Sequence, residues 1–461
     1  MSPPALQGRK VTVVGLARSG VAAALLCARE GARVTVTDRR GEEDLAEPLA
    51  ALGAGVLRRL GGHDAADFEG ADLVVLSPGV PMAIPEVQAA LRRGVPVWGE
   101  VELASRFLDG TPIVAVTGTN GKSTTTALAG ALFAADRPTF TGGNLGTPLC
   151  EHVLSGARAG AVVAELSSFQ IEGLHTLRAR AAAILNVTPD HLDRYRDVED
   201  YAAAKARLFA LQGPGDAAIA NGRDPRAVAM ARASRADLWT FGFGPPEPGA
   251  ARDPDRADGG PAELWFQPRG GGAPERYLLD NRALRGRHNR ENAMAALLCA
   301  RILGVPAAAV QDGLDRFPGL PHRLELVAER GGVEWVNDSK ATNVDSTAVG
   351  LSAFPAGAPR VVLLMGGHGK GAPYAPLRPL FAGRVKALLT IGEDAPAVER
   401  ELGDLAPTEG CGTLAEAVRR AARIAAPGDV VLLSPACSSY DQFRNYEHRG
   451  EAFRRLVEDL A

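Results

Sequence analysis

The stretch IVAVTGTNGKSTTT at residues 113–126 restricts the fold of this chain more than any other. Ile113, Val114, Ala115 and Val116 make a short apolar run of the kind a parallel sheet buries on both faces. Gly118 and Gly121 follow at once, permitting a tight turn whose backbone N–H groups converge on an anion. Lys122 adds a point charge and Ser123 a hydroxyl suited to Mg²⁺. From Thr124 the chain reads as helix, with Leu128, Ala131 and Leu132 on one face. Strand, glycine turn and helix in this order predict a nucleotide-phosphate loop. Val116 stands where the full Walker pattern has its first glycine, so the loop is a variant.

The chain has 461 residues, room for two to four domains, and its 46% hydrophobic and 23% charged content is that of a globular protein. A formal charge of −3 gives no electrostatic case for nucleic acid, and 5% aromatic content leaves few base-stacking platforms. Cys27, Cys150, Cys299, Cys411 and Cys437 are scattered without zinc spacing, as reduced thiols would be. The N-terminus leads into VTVVG without a hydrophobic signal, and no apolar run approaches the roughly 18 residues of a membrane span. A cytoplasmic protein without a membrane partner is expected.

Residues 10–38 read as strand, glycine turn, helix and strand. The fingerprint is Gly15-x-Ala17-x-x-Gly20, with Asp38 at the end of the second strand where a ribose-binding acid would sit. Ala17 replaces the glycine that lets a pyrophosphate approach closely, which weakens an NAD reading and leaves room for a diphosphate placed differently. ADLVVLSPGVP, residues 71–81, is an apolar strand ending in the kind of turn where open α/β sheets bind ligands. Glu100 and Glu102 are either functional carboxylates or dipole partners at a helix start. Residues 109–112 read as a linker, so a first, Rossmann-like domain is expected over 1–110.

A central domain is expected over 111–316. Asn144 lies in the loop TGGNLGTP as a ligand contact or a turn former. Glu165 ends the strand AVVAE, where phosphate-binding sheets present a Mg²⁺ ligand and where a cap is the alternative. Asp190, His191 and Asp193 follow the strand AAILNV, and His191 has a metal or substrate role in that setting. Lys205 lies on YAAAKARLF, and periodicity alone makes it a solvated lysine. Residues 244–276 read as an irregular surface excursion with edge strands at AELWFQP and RYLLD. The helix in 284–304 has Asn289 and Asn292 at its start, placed to cap it or to meet a planar base.

A third domain is expected over 317–461, with strands at RVVLLMGG, KALLTIG and DVVLLSP. The whole is therefore α/β in three domains: a Rossmann-like unit, a central P-loop-type unit with a mainly parallel sheet, and a Rossmann-like C-terminal unit.

Taken together, GTNGKST, ELSSFQ, NVTPDHLDRY, RHNxxNAxAA, PHR, NDSKATN and SPACSSYDQF resemble the Mur ligase family in order and spacing over the whole chain. The resemblance implies ATP-driven amide synthesis through an acyl phosphate, with UDP-N-acetylmuramoyl-L-alanine and D-glutamate as small-molecule substrates and a monomeric enzyme. It implies ATP contacts at Gly118, Thr119, Asn120, Gly121, Lys122, Ser123, Thr124, Asn289, Asn292, Arg323 and Asp338. It also implies two Mg²⁺ sites, with Ser123 and Glu165 at the first and His191 at the second. Lys205 matches the family lysine that is carbamylated, which replaces a repelling ammonium by an anionic oxygen ligand. Leu16, Ala17, Arg18, Asp38 and Arg39 match positions that hold the UDP, and Asn144 lies near the substrate carboxylate. Lys340, Thr342, Lys370 and Ser439 match positions around D-glutamate. His368, Tyr440 and Tyr446 depart from the family pattern near that pocket. Because Arg323 and Lys340 must reach the phosphate held by Lys122, closure of the third domain over the second is expected.

Overall fold

The computed structural model describes residues 5–255 and 262–460. Three sheets with flanking helices follow one another along the chain. The first contains β1 (Lys10–Val14), β2 (Arg33–Asp38), β3 (Leu57–Leu60), β4 (Leu73–Leu76) and β5 (Val97–Gly99), all parallel, in the order β3-β2-β1-β4-β5.

The second sheet contains β6 (Ile113–Thr117), β7 (Thr139–Gly143), β8 (Ala161–Glu165), β9 (Ala181–Ile184), β10 (Ala217–Asn221), β11 (Asp237–Phe243), β12 (Ala250–Asp253), β13 (Ala262–Gln267) and β14 (Glu275–Leu279). Its order is β14-β13-β12-β11-β10-β9-β6-β8-β7, parallel from β7 to β12 and antiparallel at β12–β13. The third sheet contains β15 (Glu325–Arg330), β16 (Val333–Asn337), β17 (Val361–Gly366), β18 (Val385–Ile391), β19 (Thr408–Gly412) and β20 (Val430–Leu433). There the order is β15-β16-β20-β17-β18-β19, with only the β15–β16 pair antiparallel among the described residues.

The central strands are continuous apolar runs because helices cover both faces. Val114, Ala115 and Val116 of β6 are wholly buried, and each valine contributes roughly 1.5–3 kcal/mol by leaving water. Strand order reverses beside β1, β6 and β20. An open α/β sheet leaves a crevice at such a point, beyond the strand carboxyl ends.

The chain divides into two compact units, Met1–Leu278 with Glu291–Leu314, and Leu279–Arg290 with Asp315–Ala461. The first two sheets therefore belong to one unit. Inside it, Glu102 ties the segment after β5 to the chain before β9. Its carboxylate accepts N–H groups of His175, Thr176 and Leu177 and pairs with Arg106 at 2.7 Å. Glu100 is buried as well, so neither residue is a solvated partner of a helix dipole.

The expected irregular excursion at 244–276 is sheet in large part. β12 pairs in parallel with β11, Thr240 facing Ala250, and β13 folds back on β12. The four residues AARD carry no strand signal alone; their neighbour's open edge supplies the hydrogen bonds.

Candidate active site

The phosphate loop leaves β6 at the second sheet's switch point. Gly118 has φ +146°, and a Cβ there would lie 3.1 Å from the Leu185 side chain. Gly121 caps the helix Lys122–Ala134 at φ +86°, where a Cβ would meet Asn292 Oδ1 at 2.4 Å. Only glycine fits either position. Lys122 Nζ folds back onto its own loop, donating to the carbonyls of Gly118 at 3.0 Å and Thr119 at 2.8 Å. Asn120 exchanges hydrogen bonds with Asn186, and Thr119 with the backbone of Thr188, so the turn after β9 braces the loop. Asn292 reaches the loop's helix, where its Oδ1 accepts from Thr125 Oγ1 at 3.2 Å.

Glu165 ends β8 opposite Val116 and is 2% exposed. Its Oε1 accepts from Asn144 Nδ2 at 2.7 Å, while Oε2 is buried without a partner. Two residues expected in separate roles thus form one pair. An anionic oxygen left open in a buried place suits a hard cation.

Lys205 is the largest departure from a reading by periodicity. It is 1% exposed, its Nζ donates to Gly118 O at 3.1 Å, and it lies 4.4 Å from the Tyr201 ring centroid. Burial, reinforced by the like charge of Lys122, pushes its ammonium down to about 7 against the pull of Asp190. His191 sits nearby in the left-handed region at φ +54°, its ring 4.9 Å from that of Phe169 and 6.1 Å from that of Tyr201. Among the described residues no group of three or more His, Cys, Asp or Glu forms a metal cluster.

In the first sheet a cavity of about 440 Å³ opens at the switch point, lined among others by Leu16, Ala17, Asp38, Arg39, His63 and Ser77. Asp38 braces its wall. The carboxylate accepts from Leu16 N at 2.7 Å and from the backbone and guanidinium of Arg40. Burial opposes ionisation, but these donors hold Asp38 down to about 2. Four acceptor positions are filled by the protein, which leaves little for a ribose diol and counts against NAD. Arg18 is turned elsewhere, forming a two-pronged pair with Glu151 at 2.7 Å, and does not line this cavity. A wider cleft of about 990 Å³ shares Gly79 and Pro81 with the cavity and is lined by His191, Arg194 and Tyr195.

In the second compact unit, Asp338 follows β16 and is buried. Its Oδ2 accepts from Ser434 Oγ at 2.8 Å and its Oδ1 from Leu324 N at 3.2 Å, and burial raises it to about 7. Arg323 stands between His322 and Leu324, both at positive φ, with its Nε buried and unpartnered. Burial, with the charge of Arg323, lowers His288 to about 4. Lys340 Nζ lies 5.2 Å from the Tyr446 ring centroid, and Thr342 N donates to Lys340 O at 2.9 Å. Ser439 is buried, Lys370 exposed, and Tyr440 72% exposed. His368 pairs with Glu393 at 2.8 Å, which raises its pKa. Asn289 also belongs to this unit, although Asn292, one turn on in the helix Arg287–Ile302, belongs to the first.

Residues 9–99 match the family description "Mur ligase MurD-like, N-terminal domain", 116–300 "Mur ligase middle domain" and 322–437 "Mur ligase, glutamate ligase domain". The chain is 76% identical to the UDP-N-acetylmuramoylalanine--D-glutamate ligase of Anaeromyxobacter dehalogenans (strain 2CP-C), covering 100% of both chains. The chain belongs to the Mur ligase family. It is also 53% identical to the UDP-N-acetylmuramoylalanine--D-glutamate ligase of Myxococcus xanthus (strain DK1622), covering 99% of each. Two solved Mur ligases share the fold. MurF from Acinetobacter baumannii has 19% identity and a TM-score of 0.63, with 92% of this chain and 91% of that one covered. MurF ligase from Thermotoga maritima, in complex with ADP, has 17% identity and a TM-score of 0.62, with 99% and 96% covered.

Several residues that line this Mur ligase's pockets carry no signal at the level of motifs. His63 lines the first pocket from a loop after β3. Thr37 Oγ1 lies 3.1 Å from Gly62 O and 2.9 Å from His63 Nδ1, within hydrogen-bonding distance of both. Ser77 and Arg40 are likewise ordinary residues until the fold brings them to that pocket, as is Tyr201 until its ring packs beside Lys205. Ser77 could have been found from SPGVP, the turn that ends an apolar strand. No helical membrane span occurs among the described residues.

Proposed function

We propose that this chain is an ATP-dependent ligase that joins D-glutamate to the L-alanine carboxylate of UDP-N-acetylmuramoyl-L-alanine, in the cytoplasmic assembly of peptidoglycan precursors. The observation that carries the site reading is the convergence of Lys122 and the buried Lys205 on one carbonyl, that of Gly118. Near-full-length identity to ligases of this name supports the choice of substrates.

A carboxylate is a poor electrophile. Its oxygen attacks the γ-phosphorus of ATP, ADP departs, and the acyl phosphate formed is attacked at carbon by the D-glutamate amine with loss of inorganic phosphate. The first step brings two anions together, so electrostatic stabilisation does most to lower its barrier. Backbone N–H groups of residues 118–124 hold the phosphates, and Lys122 turns from its own loop carbonyls to them. Arg323, whose Nε lacks a partner, contacts the γ-phosphate, Asn289 and Asn292 the adenine, and Asp338 the ribose.

Ser123 and Glu165, with the open Oε2 of the latter, fit a first Mg²⁺, and His191 with carbamylated Lys205 a second. Bound there, Mg²⁺ would neutralise charge on the phosphates. Carbamylation needs a neutral amine to attack CO₂ and release a proton, and burial of Lys205 favours that form. Leu16, Ala17, Asp38 and Arg39 shape the uridine diphosphate pocket, with Arg18 acting through Glu151. Asn144 serves near the substrate carboxylate by aligning Glu165. Lys340, Thr342, Lys370 and Ser439 receive D-glutamate. These assignments go with domains at 1–110, 111–316 and 317–461 and with a monomer acting on small molecules.

Phosphate release from ATP in the presence of UDP-N-acetylmuramoyl-L-alanine tests the reading. D-glutamate is expected to stimulate it, and stimulation by L-alanine or diaminopimelate instead would overturn the choice of amino acid.

A further inference from the structure

The strap Leu279–Arg290 belongs to the second compact unit, although the chain before it and Glu291–Leu314 after it belong to the first. Its side chains account for the attachment. At the leading end Asn281 Nδ2 donates to Phe317 O at 2.8 Å, and Asn281 Oδ1 accepts from Ala283 N at 2.9 Å. Farther on, Arg285 Nη1 pairs with Glu334 Oε2 of β16 at 2.6 Å, and Arg282 Nη1 with Glu329 Oε2 of β15 at 2.6 Å. Arg282 and Glu329 are exposed, a setting in which an ion pair contributes little. Arg285 and Glu334 are only 15% and 22% exposed, so solvent and salt screen their attraction less. The Arg285 guanidinium also lies 5.3 Å from the ring centroid of Phe354, a buried residue of the third sheet's core. Gly286 follows at φ +90°, where a Cβ would come within 3.0 Å of Ala353.

This strap carries Asn289. Arg285 O accepts from Asn289 Nδ2 at 3.0 Å, and Gly286 O accepts from Asn289 N at 3.1 Å. Arg285 therefore holds Glu334 with its side chain and Asn289 with its carbonyl. β16 takes the strap at Glu334 and ends at Asn337, one residue before Asp338. One strand thus sets the spacing between the residue read as the adenine contact and the residue read as the ribose contact. A strap fastened in advance spares the nucleotide the cost of ordering it.

We propose that Arg285, through its pair with Glu334, is a positioning residue for adenine recognition, holding the strap so that Asn289 meets the base while Asp338 meets the ribose. The inference deepens the reading of Asn289 as an adenine contact and rests on it. Neither Arg285 nor Glu334 lies in any of the seven motifs.

The test compares the full-length protein with Arg285→Met, Glu334→Gln, the double variant and Asn289→Ala. It measures KM for ATP, KM for D-glutamate, and the preference for ATP over GTP, whose base carries an oxygen where adenine carries an amino group. Arg285→Met and Glu334→Gln are each expected to raise KM for ATP about fivefold, narrow the preference for ATP, and leave KM for D-glutamate within about twofold. The double variant should be no worse than the more severe single one, because either change alone breaks the pair. An unchanged KM for ATP in both single variants, equal rises in both KM values, an unchanged preference for ATP, or effects that add in the double variant overturn the proposal. Glu334→Gln keeps shape and size, so it decides the matter even if Arg285→Met fails to fold. A preference for ATP unchanged in Asn289→Ala fails the adenine reading itself, and the proposal with it, before the pair is considered.

Discussion

Lys205 and Gly118 lie 87 residues apart and meet at 3.1 Å, the lysine Nζ donating to the glycine carbonyl from a buried position. A helix whose alanines suggest a solvated lysine is thereby packed against the phosphate loop, and Lys205 is delivered to a loop carbonyl.

Replacing Lys205 by alanine is expected to abolish ligase activity. Bicarbonate should not restore it, because no amine remains to carbamylate, whereas short carboxylic acids should restore part by offering an oxygen in the same place. Phosphate release with and without acetate or formate measures this, and activity equal to the parent would remove Lys205 from the chemistry.

Asn144 fixes one oxygen of Glu165, and a hydrogen bond to a charged group is worth roughly 1.5–3 kcal/mol. Asn144→Leu should raise the Mg²⁺ concentration for half-maximal activity about tenfold or more. A magnesium titration at saturating ATP reads this out, and an unchanged midpoint would show that the pair does not orient the carboxylate.

Gly121→Ala places a Cβ at φ +86° and 2.4 Å from Asn292 Oδ1. Strain of that kind costs about 1–3 kcal/mol, and the loop amides would no longer converge. Denaturant unfolding should give a loss of that order, with ATP turnover falling by at least two orders of magnitude. Unimpaired turnover would mean that the loop does not hold phosphate.

Glu100 makes stability depend on pH. Burial, opposed by the hydrogen bond from Cys150 N at 2.6 Å, raises its carboxyl from the ordinary 4.5 to about 7. Below about pH 4.5 the acid is neutral in both folded and unfolded chains and costs nothing. Between that value and about 7 the unfolded chain ionises and the folded one does not, so stability falls by about 1.4 kcal/mol per pH unit, levelling above. Glu100→Gln should flatten this slope and gain about 3 kcal/mol at pH 8 relative to the parent. Thermal unfolding from pH 4 to 8 checks it, and parallel curves for the two proteins would contradict the burial of a neutral acid.

The phosphate loop, the Rossmann-like opening and the α/β class were legible because each depends on local chemistry. Apolar runs name buried strands, and Gly118 and Gly121 stand where no side chain fits. The seven motifs extended that reading to a family and a set of site positions. What the residues alone determined was therefore a chain of strand–turn–helix units with a nucleotide loop in the middle one.

Tertiary structure decided which groups meet and which are withheld from solvent. It buried Lys205 and left Glu165 Oε2 open, filled Asp38 with protein donors, and turned Arg18 to Glu151. None of these follows from spacing. Exposure and partnership depend on contacts between residues far apart in sequence, and the same side chain is a solvated charge or a buried ligand according to what the fold packs around it.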